Sequence, residues 1–385
     1  MKVLLVSNRL FTHDVRLRRN AEALAKRGDS VDVICTAEEG HNYTGPVHLV
    51  AFPCFRYRGN NRLCYLGYYL DFLVRASWRA TLLAFRRRYD VVIAVSMPDA
   101  IVFACVGARL FGSKLILDIT DTMPELYQDR FGKHFWDVGG KLLALQERLS
   151  AWFADRVLAV HELHRQRLMT AGIDSTKIRV VMNSPDPSIF RHERLCSTKS
   201  VAFTLIYHGS IIRRLGLDIA LQAVASARQT IPQLRLWIFG SGDYLQEARQ
   251  LALRLNIDNV VTFFGFVPAE LIVPYIAQAH VGLVPYYANE ATQIMLPMKL
   301  LEYSMLGVPV IASRLSAIEY YFGEHTLRYV APGDINDLTN AIVELYARPD
   351  LRERLSGRCR KALQPIAWNN QCRELFSAVD TLVSH

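Results

Sequence analysis

The sequence lacks the paired cysteines that mark disulfide frameworks and zinc sites. Its 385 residues include seven cysteines, an odd number, and none stands in a Cys-x-x-Cys pair. They are scattered along the chain at Cys35, Cys54, Cys64, Cys105, Cys196, Cys359 and Cys372. A disulfide-stabilised secreted domain and a cysteine-ligated zinc site are therefore both disfavoured.

Long apolar runs are also missing. The apolar run after Met1 is too short for a signal peptide, and the longest one, residues 100–112, is interrupted by Arg109 and too short to span a bilayer. These features predict a cytoplasmic protein, either soluble or peripheral on the inner face of the membrane.

Length and composition predict two domains. The chain is too long for one typical core, and 51% of its residues are hydrophobic. The formal charge is +9, and residues 1–190 carry most of it, with 26 Lys and Arg against 19 Asp and Glu. A basic N-terminal half indicates an anionic partner without specifying which one.

Strand and helix patterns alternate along both halves of the chain. Residues 3–6 and 31–35 have buried-strand patterns around a helical segment, which predicts a right-handed βαβ start, and the alternation restarts at residues 203–207. We therefore predict an α/β protein of two doubly wound, parallel-sheet domains. The predicted divisions, placed at turn-rich and polar stretches, are a domain over 1–186, a linker over 187–201, a domain over 202–366 and a last segment over 367–385.

A charged pair near the start of a predicted helix is the most informative feature. Pro297 suits the beginning of a helix, and Lys299 and Glu302 then lie three residues apart on one flank. A helix N-terminus favours an anion, so a phosphate can bind beside Lys299 while Glu302 accepts hydrogen bonds from sugar hydroxyls. The plainer interpretation is an exposed ion pair that contributes less than about 1 kcal/mol.

Residues 296–311 read Leu-Pro-x-Lys-x-x-Glu-Tyr followed by Gly-Val-Pro-Val-Ile. This segment resembles the donor site of the group 1 glycosyltransferases, retaining enzymes of the GT-B fold that transfer sugars from nucleotide diphosphates. The resemblance covers essentially the whole chain. It implies two Rossmann-like domains facing each other across a cleft, with the donor on the C-terminal domain, the acceptor on the N-terminal domain and a last helix that crosses back.

The loop over residues 208–218 completes the predicted donor site. Gly209 lets the backbone approach a ligand closely, and Arg213 or Arg214 can clamp a diphosphate, although an ordinary solvated turn is the alternative. The loop is neither Gly-x-Gly-x-x-Gly nor a P-loop, so a dehydrogenase or an ATPase has little support. The predicted donor-binding residues are Gly209, Ser210, Arg213, Arg214, Gly240, Lys299 and Glu302.

Loops at the carboxyl ends of the predicted N-terminal strands are where open α/β sheets carry ligand sites, and in the resembled family one of these loops usually reads His-Asp with Pro-Glu behind it. Here Thr120 stands in the place of that histidine, whereas Asp121 and Glu125 match. Asp14 and Arg16 resemble the family's opening segment, with a simple helix-start pair as the alternative. The predicted acceptor-side residues are Asn8, Asp14, Arg16, Thr120 and Asp121.

No metal or other cofactor is predicted. Asp118 and Asp121 have no neighbouring histidine in the sequence, so helix caps are the preferred interpretation over a metal pair. The cations Arg213, Arg214 and Lys299 would neutralise the leaving diphosphate. Together with Asp121 they are the predicted catalytic residues.

One departure from the family pattern leaves other functions open. Ile294 occupies the place of a glutamate eight residues before Glu302, a loss shared by relatives with the same donor segment, and Glu290 is a possible substitute. An inactive nucleotide-sugar-binding protein and a nucleotide-sugar epimerase of the same fold are the alternatives.

Residues 55–88 interleave arginines with aromatic residues. On an amphipathic helix such a pattern is typical of a surface that lies on anionic lipid, where the acceptor would be a polyprenyl-diphosphate-linked saccharide. The plainer alternative is a solvated helix that covers the sheet, with a soluble saccharide as acceptor. Nucleic acid is not a predicted partner, because no recognition motif accompanies the charge.

Overall fold

The structure is a computed structural model that describes residues 1–37, 43–54, 62–131, 136–190 and 201–383. The chain forms two compact units. Unit 1 comprises Met1–Asn183 and the chain from Asn369 onward, and unit 2 comprises Ser184–Trp368. Most of the predicted linker, and the first residues of the arginine-rich segment, lie outside the described residues.

Unit 1 is built on a seven-stranded parallel sheet in the order β3-β2-β1-β4-β5-β6-β7. The strands are β1 (Lys2–Leu10), β2 (Ser30–Ala37), β3 (His48–Pro53), β4 (Val91–Val95), β5 (Lys114–Ile119), β6 (Arg156–Ala159) and β7 (Ile178–Val180). The strand order reverses between β1 and β4. Their carboxyl ends thus flank a switch point, where open α/β sheets hold their ligands.

The helices of unit 1 connect these strands in the predicted alternation. They are α1 (Val15–Lys26), α2 (Arg62–Arg87), α3 (Val106–Leu110), α4 (Met123–Phe131), α5 (Lys141–Phe153) and α6 (Glu162–Thr170). A 3-10 helix over Asp99–Cys105 leads directly into α3, and a π-helical turn over Trp136–Gly140 leads into α5.

Unit 2 is built on a six-stranded parallel sheet in the order β10-β9-β8-β11-β12-β13. Its strands are β8 (Phe203–His208), β9 (Leu234–Phe239), β10 (Val261–Gly265), β11 (Val281–Val284), β12 (Val310–Ser313) and β13 (Arg328–Val330). Its helices are α7 (Leu217–Ala227), α8 (Leu245–Arg254), α9 (Ala269–Gln278), α10 (Glu290–Gln293), α11 (Met298–Met305), α12 (Ser316–Phe322), α13 (Ile335–Ala347) and α14 (Pro349–Leu363). Short 3-10 turns cover Arg213–Leu215 and Gln364–Ile366.

Both sheets have the near-continuous apolar strands of a parallel sheet that helices cover on both faces. In β4, all five residues are buried, and the same holds for the six residues of β8. The prediction of two doubly wound parallel-sheet units is therefore confirmed.

The last helix, α15 (Trp368–Val383), belongs to unit 1 although it follows unit 2 in sequence. The side-chain oxygen of Gln371 accepts a hydrogen bond from the Met182 N–H at 2.8 Å, and Asp380 forms an ion pair with Arg27 at 2.8 Å. The predicted return of the final helix is confirmed. Among the described residues, no helix is both long and apolar enough to cross a membrane.

Candidate active site

The start of α11 carries the charged pair of unit 2. Pro297 is the residue before the helix rather than its first residue, and Gly307 just after it adopts a left-handed conformation with φ of 70°. Lys299 is only 5% exposed, and the side chain of Glu302 is 15% exposed. The interpretation of these residues as an exposed ion pair is therefore wrong.

The ammonium group of Lys299 lies against aromatic rings. Its Nζ is 3.6 Å from the centroid of the Tyr207 ring and 5.4 Å from that of Tyr286. It has no hydrogen-bond acceptor among the described residues. Ring faces attract a cation but do not replace the hydrogen bonds lost from water. An anion could supply the acceptor that the buried Lys299 ammonium lacks.

The protonation of Lys299 and Glu302 reflects this burial. Burial lowers the pKa of Lys299 to about 7, and the nearby Glu302 carboxylate offsets only part of that change. Burial likewise raises the pKa of Glu302 to about 7 against the opposing effect of Lys299. An anion placed beside Lys299 would favour its charged form.

His208, at the end of β8, is a member of this cluster that sequence reasoning missed. Its Nε2 lies 3.2 Å from Glu302 Oε2, without hydrogen-bond geometry, and its ring packs edge-on against Tyr303 at 4.9 Å. Burial, and secondarily the charge of Lys299, lowers the pKa of His208 to about 3, so the imidazole is neutral at neutral pH. Its place at a strand's carboxyl end was the available signal.

Two of the predicted glycines bring the ends of β8 and β9 together. The Gly209 N–H donates to the Phe239 carbonyl at 3.0 Å, and Gly209 lies against the Lys299 side chain, since a Cβ added there would be 3.5 Å from Lys299 Cε. Gly240 has φ of 133°, and a Cβ on it would be 1.8 Å from the Gly209 carbonyl oxygen. No side chain fits at Gly240.

The two arginines of the loop take different positions. Arg214 is half-buried, and its charge acts on Tyr286, the ring that also faces Lys299. Arg213 is exposed, lies 5.6 Å from the Tyr244 ring centroid and is 3.6 Å from the Glu247 carboxylate. The structure thus associates Arg214 more closely than Arg213 with Lys299.

The remaining loop candidates lie at the surface of unit 2. Ser210 is exposed, and its carbonyl oxygen accepts a hydrogen bond from the Tyr207 hydroxyl at 3.0 Å. Glu290 is an exposed residue at the start of α10.

In unit 1, Arg16 and Asp118 form a buried bidentate pair. The two nitrogen–oxygen distances are 2.9 and 2.7 Å, and Arg16 also donates to the Val181 carbonyl at 2.8 Å. Asp118 lies within β5, so its interpretation as a helix cap is wrong. This arrangement ties α1 to the centre of the sheet.

Arg9, another residue missing from the prediction, contacts three of the predicted acceptor-side residues. Its guanidinium donates to Asp14 at 3.0 Å and lies 3.4 Å from both Thr120 and Asp121. Asp14 additionally caps α1 by accepting from the Leu17 N–H at 2.8 Å. The side-chain oxygen of Asn8 accepts from Tyr68 at 3.3 Å. These side chains meet at the switch point between β1 and β4.

Asp99 is a buried carboxyl group behind this cluster that no sequence pattern indicated. It is fully buried, and neither carboxylate oxygen makes a hydrogen bond of regular geometry with the described residues. Burial, and secondarily the charge of Glu147, raises its pKa to about 8, while Arg167 and the Ser96 side chain oppose the shift only in part. Ser96 in turn accepts from the Thr120 N–H at 3.1 Å.

We expect Asp99→Asn to flatten the pH dependence of stability. Between the ordinary pKa of 3.8 and the folded value of about 8, the folded chain holds a proton at Asp99 that the unfolded chain has released. Stability from this group therefore falls as pH rises, by up to about 1.4 kcal/mol per pH unit. Thermal unfolding between pH 5 and 8 measures the slope. Asp71→Asn on α2, where the side chain is 41% exposed, is the control and should keep the wild-type slope; equal slopes in all three proteins would contradict the assignment.

Two family models match the chain. Residues 202–348 match the family described as glycosyl transferases group 1, and residues 13–184 match the glycosyl transferase 4-like domain. A curated relative, the GDP-mannose-dependent alpha-(1-6)-phosphatidylinositol monomannoside mannosyltransferase of Mycolicibacterium smegmatis, is 31% identical over 142 residues, covering 36% of this chain and 37% of the relative. The matches span 37% to 57% of the lengths of the first curated relatives.

Solved structures of low sequence identity share the fold over the full length. Sucrose-phosphate synthase from Thermosynechococcus elongatus superposes with a TM-score of 0.80 at 18% identity, covering 100% of this chain and 99% of that one. The Anabaena protein HepE, solved in complex with UDP-glucose, gives a TM-score of 0.72 at 18% identity and covers 100% of both chains. Residues 202–348 thus belong to the group 1 glycosyltransferase family and residues 13–184 to the glycosyl transferase 4-like family, and the solved structures share the architecture of both units.

Proposed function

We propose that this chain transfers a sugar, with retention of configuration, from a nucleotide diphosphate sugar bound to unit 2. The observation that carries the proposal is the Lys299 ammonium, buried beside Glu302 and Gly209 without an acceptor of its own. A diphosphate supplies the missing acceptor, and Gly209 keeps the backbone beside Lys299 free of a side chain. HepE, of the same fold, was solved with UDP-glucose.

The proposed mechanism is mainly electrostatic. Lys299 and Arg214 stabilise the negative charge that develops on the leaving diphosphate. Such electrostatic stabilisation is strongest in a buried site, from which water is excluded. Glu302 accepts hydrogen bonds from the donor ribose. The acceptor attacks on the face that the leaving group vacates, and the leaving phosphate takes the acceptor proton. No protein base is required by this route.

The acceptor is proposed to be a saccharide or a lipid-linked saccharide of cell-surface polysaccharide or glycoconjugate synthesis, reached from the cytoplasmic side. The named substrate of the M. smegmatis relative is a phosphatidylinositol mannoside. The cluster of Arg9, Thr120 and Asp121 in unit 1 offers donors and acceptors for sugar hydroxyls.

Transfer is expected to continue after chelation, because protein cations rather than a divalent ion hold the diphosphate. The assay follows radiolabelled sugar from a panel of nucleotide sugars into acceptor, with and without EDTA. Loss of turnover with EDTA and its recovery with magnesium or manganese would overturn the assignment of Lys299, Arg213 and Arg214.

Thr120 and Ile294, which replace the usual family residues, favour a second candidate, an inactive nucleotide-sugar-binding protein. Thermal-shift measurements with UDP, GDP and their sugars detect binding in either case, since a ligand at a hundred times its dissociation constant stabilises by about 2.7 kcal/mol. Product analysis then separates transfer from binding alone and from epimerisation of the donor.

A further inference from the structure

The helix α2 buries alanines over much of its length and exposes a row of large apolar residues. Its buried face carries Phe72 followed by alanines at four-residue spacing, Ala76, Ala80 and Ala84. The opposite, exposed face carries Leu70, Val74, Trp78, Leu82 and Phe85, and Trp78 is 67% exposed. A helix that merely covers a sheet in water would place these residues the other way round.

The helix α5 repeats the inversion. Its fully buried positions hold Glu147, Ser150 and Ala151, with Glu147 bound by Arg167. Its exposed positions hold Leu142, Leu145, Leu149 and Trp152, and Trp152 is 76% exposed. Sequence reasoning did not single out this helix.

The two helices flank one continuous surface. The 3-10 helix over Asp99–Cys105 contacts both α2 and α5, and α3 contacts α2. Aromatic contacts bridge the elements, with Phe85 5.7 Å from Phe111 and Phe103 5.2 Å from Phe153. Val106 and Leu110 are exposed between them. We call the exposed apolar side chains of α2, of the 3-10 helix with α3, and of α5 the apolar face.

The charges around the apolar face are mainly basic. Arg86, Arg88, Lys141 and Arg148 are exposed at its margins. The neighbouring carboxylates are matched by arginines, with Asp71 2.7 Å from Arg75 and Asp155 3.2 Å from Arg109. A second copy of the chain would bring two such basic margins together, because a two-fold interface pairs the same patch with itself. Anionic lipid headgroups, in contrast, complement them.

We propose that the apolar face docks into the headgroup region of an anionic membrane, with α2 and α5 lying along the surface and Trp78 and Trp152 at the lipid–water boundary. This inference rests on the proposed function in one respect only: a lipid-linked acceptor would lie in the membrane to which the protein docks. It adds α5 to the arginine-rich segment and makes apolar insertion, rather than charge alone, the main source of binding.

The test uses vesicles of phosphatidylcholine with phosphatidylglycerol and the full-length protein. One variant combines Val74→Ser, Trp78→Ser and Phe85→Ser on α2; another combines Leu145→Ser, Leu149→Ser and Trp152→Ser on α5. Leu253→Ser on α8, which replaces an exposed leucine of unit 2, is the matched control. We expect wild type and control to co-sediment, and each triple variant to lose at least about tenfold in vesicle partitioning.

Salt separates insertion from charge attraction. Complexes of wild type with vesicles are formed first and then brought to about 1 M salt, where the screening length is roughly 3 Å. Wild type should stay largely bound to the vesicles. Tryptophan emission should shift to shorter wavelength with vesicles, and the shift should shrink in either triple variant. No sedimentation of wild type, or complete release at high salt, would overturn the proposal.

Two further measurements keep the outcome clear. Circular dichroism and UDP thermal shifts should be unchanged in the triple variants, since the replaced side chains are exposed and lie in unit 1. If wild type fails to bind any nucleotide diphosphate, the proposed function fails while the vesicle result stands. If sedimentation velocity shows a wild-type dimer that both triple variants convert to monomer, and vesicles do not bind, then a second copy covers the apolar face and the proposal is wrong.

Discussion

Replacing Lys299 by methionine is expected to lower glycosyl transfer by about 10² to 10³-fold, the usual loss when one preorganised group that stabilises transition-state charge is removed. Methionine keeps an unbranched apolar stem between Tyr207 and Tyr286 and removes only the charge. Because that charge is buried without an acceptor, the free protein should be at least as stable as wild type. Steady-state kinetics with the preferred nucleotide sugar, and thermal unfolding without it, measure the two effects.

The pKa of Lys299 predicts how the affinity for UDP depends on pH. Its pKa is about 7 in the free protein, and a bound diphosphate favours the protonated form, so binding takes up a proton above that pH. Affinity for UDP should therefore weaken as pH rises from 7 to 9 in wild type and stay flatter in Lys299→Met. Arg213→Ala, which changes the exposed arginine, is the companion variant and should lose less affinity for UDP than Lys299→Met. Wild-type activity in Lys299→Met would remove this residue from the site.

Changing Glu302 to glutamine is expected to weaken donor binding by roughly 10- to 150-fold, which corresponds to the 1.5–3 kcal/mol of a hydrogen bond to a charged group. Glutamine keeps the shape of the side chain but gives up the carboxylate that would accept from both ribose hydroxyls. Isothermal titration with UDP and with the nucleotide sugar measures the change.

Glu319→Gln is the matched control for this experiment. Glu319 lies in unit 2, has a side chain that is 40% exposed and pairs with Arg314 at 2.6 Å. Its replacement should leave donor affinity unchanged. A Glu302→Gln variant that binds the donor as tightly as wild type would show that the carboxylate faces His208 for structural reasons only.

The fold could be predicted from sequence because the signals are local. Apolar strand runs, helix periodicity and turn residues recur in a fixed alternation, and such an alternation in a parallel sheet leaves few topologies. The motif at Lys299 and Glu302 was equally local. Sequence spacing alone could not decide whether Lys299 and Glu302 form an exposed ion pair. Their burial depends on distant residues such as Tyr207 and Tyr286, whose rings lie near the Lys299 ammonium.

The parts that could not be predicted depend on contacts between distant segments. His208 lies beside Glu302, which is 94 residues away in sequence, and Arg9 contacts Thr120, which is 111 residues away. The pKa of Asp99 is raised by burial that the neighbouring sequence does not indicate. The apolar face is similar. The arginine and aromatic pattern indicated α2 but not α5, and only the structure shows which side each helix buries.

The return of α15 to unit 1 has a consequence for synthesis of the protein. Unit 2 is continuous in sequence and is complete once Trp368 has left the ribosome, whereas unit 1 still lacks the helix that pairs with Arg27 and binds the Met182 N–H. Domains generally fold as units, with the earlier one first. Within residues 1–383 the order of completion is reversed, because unit 1 gains α15 only after unit 2 has been made.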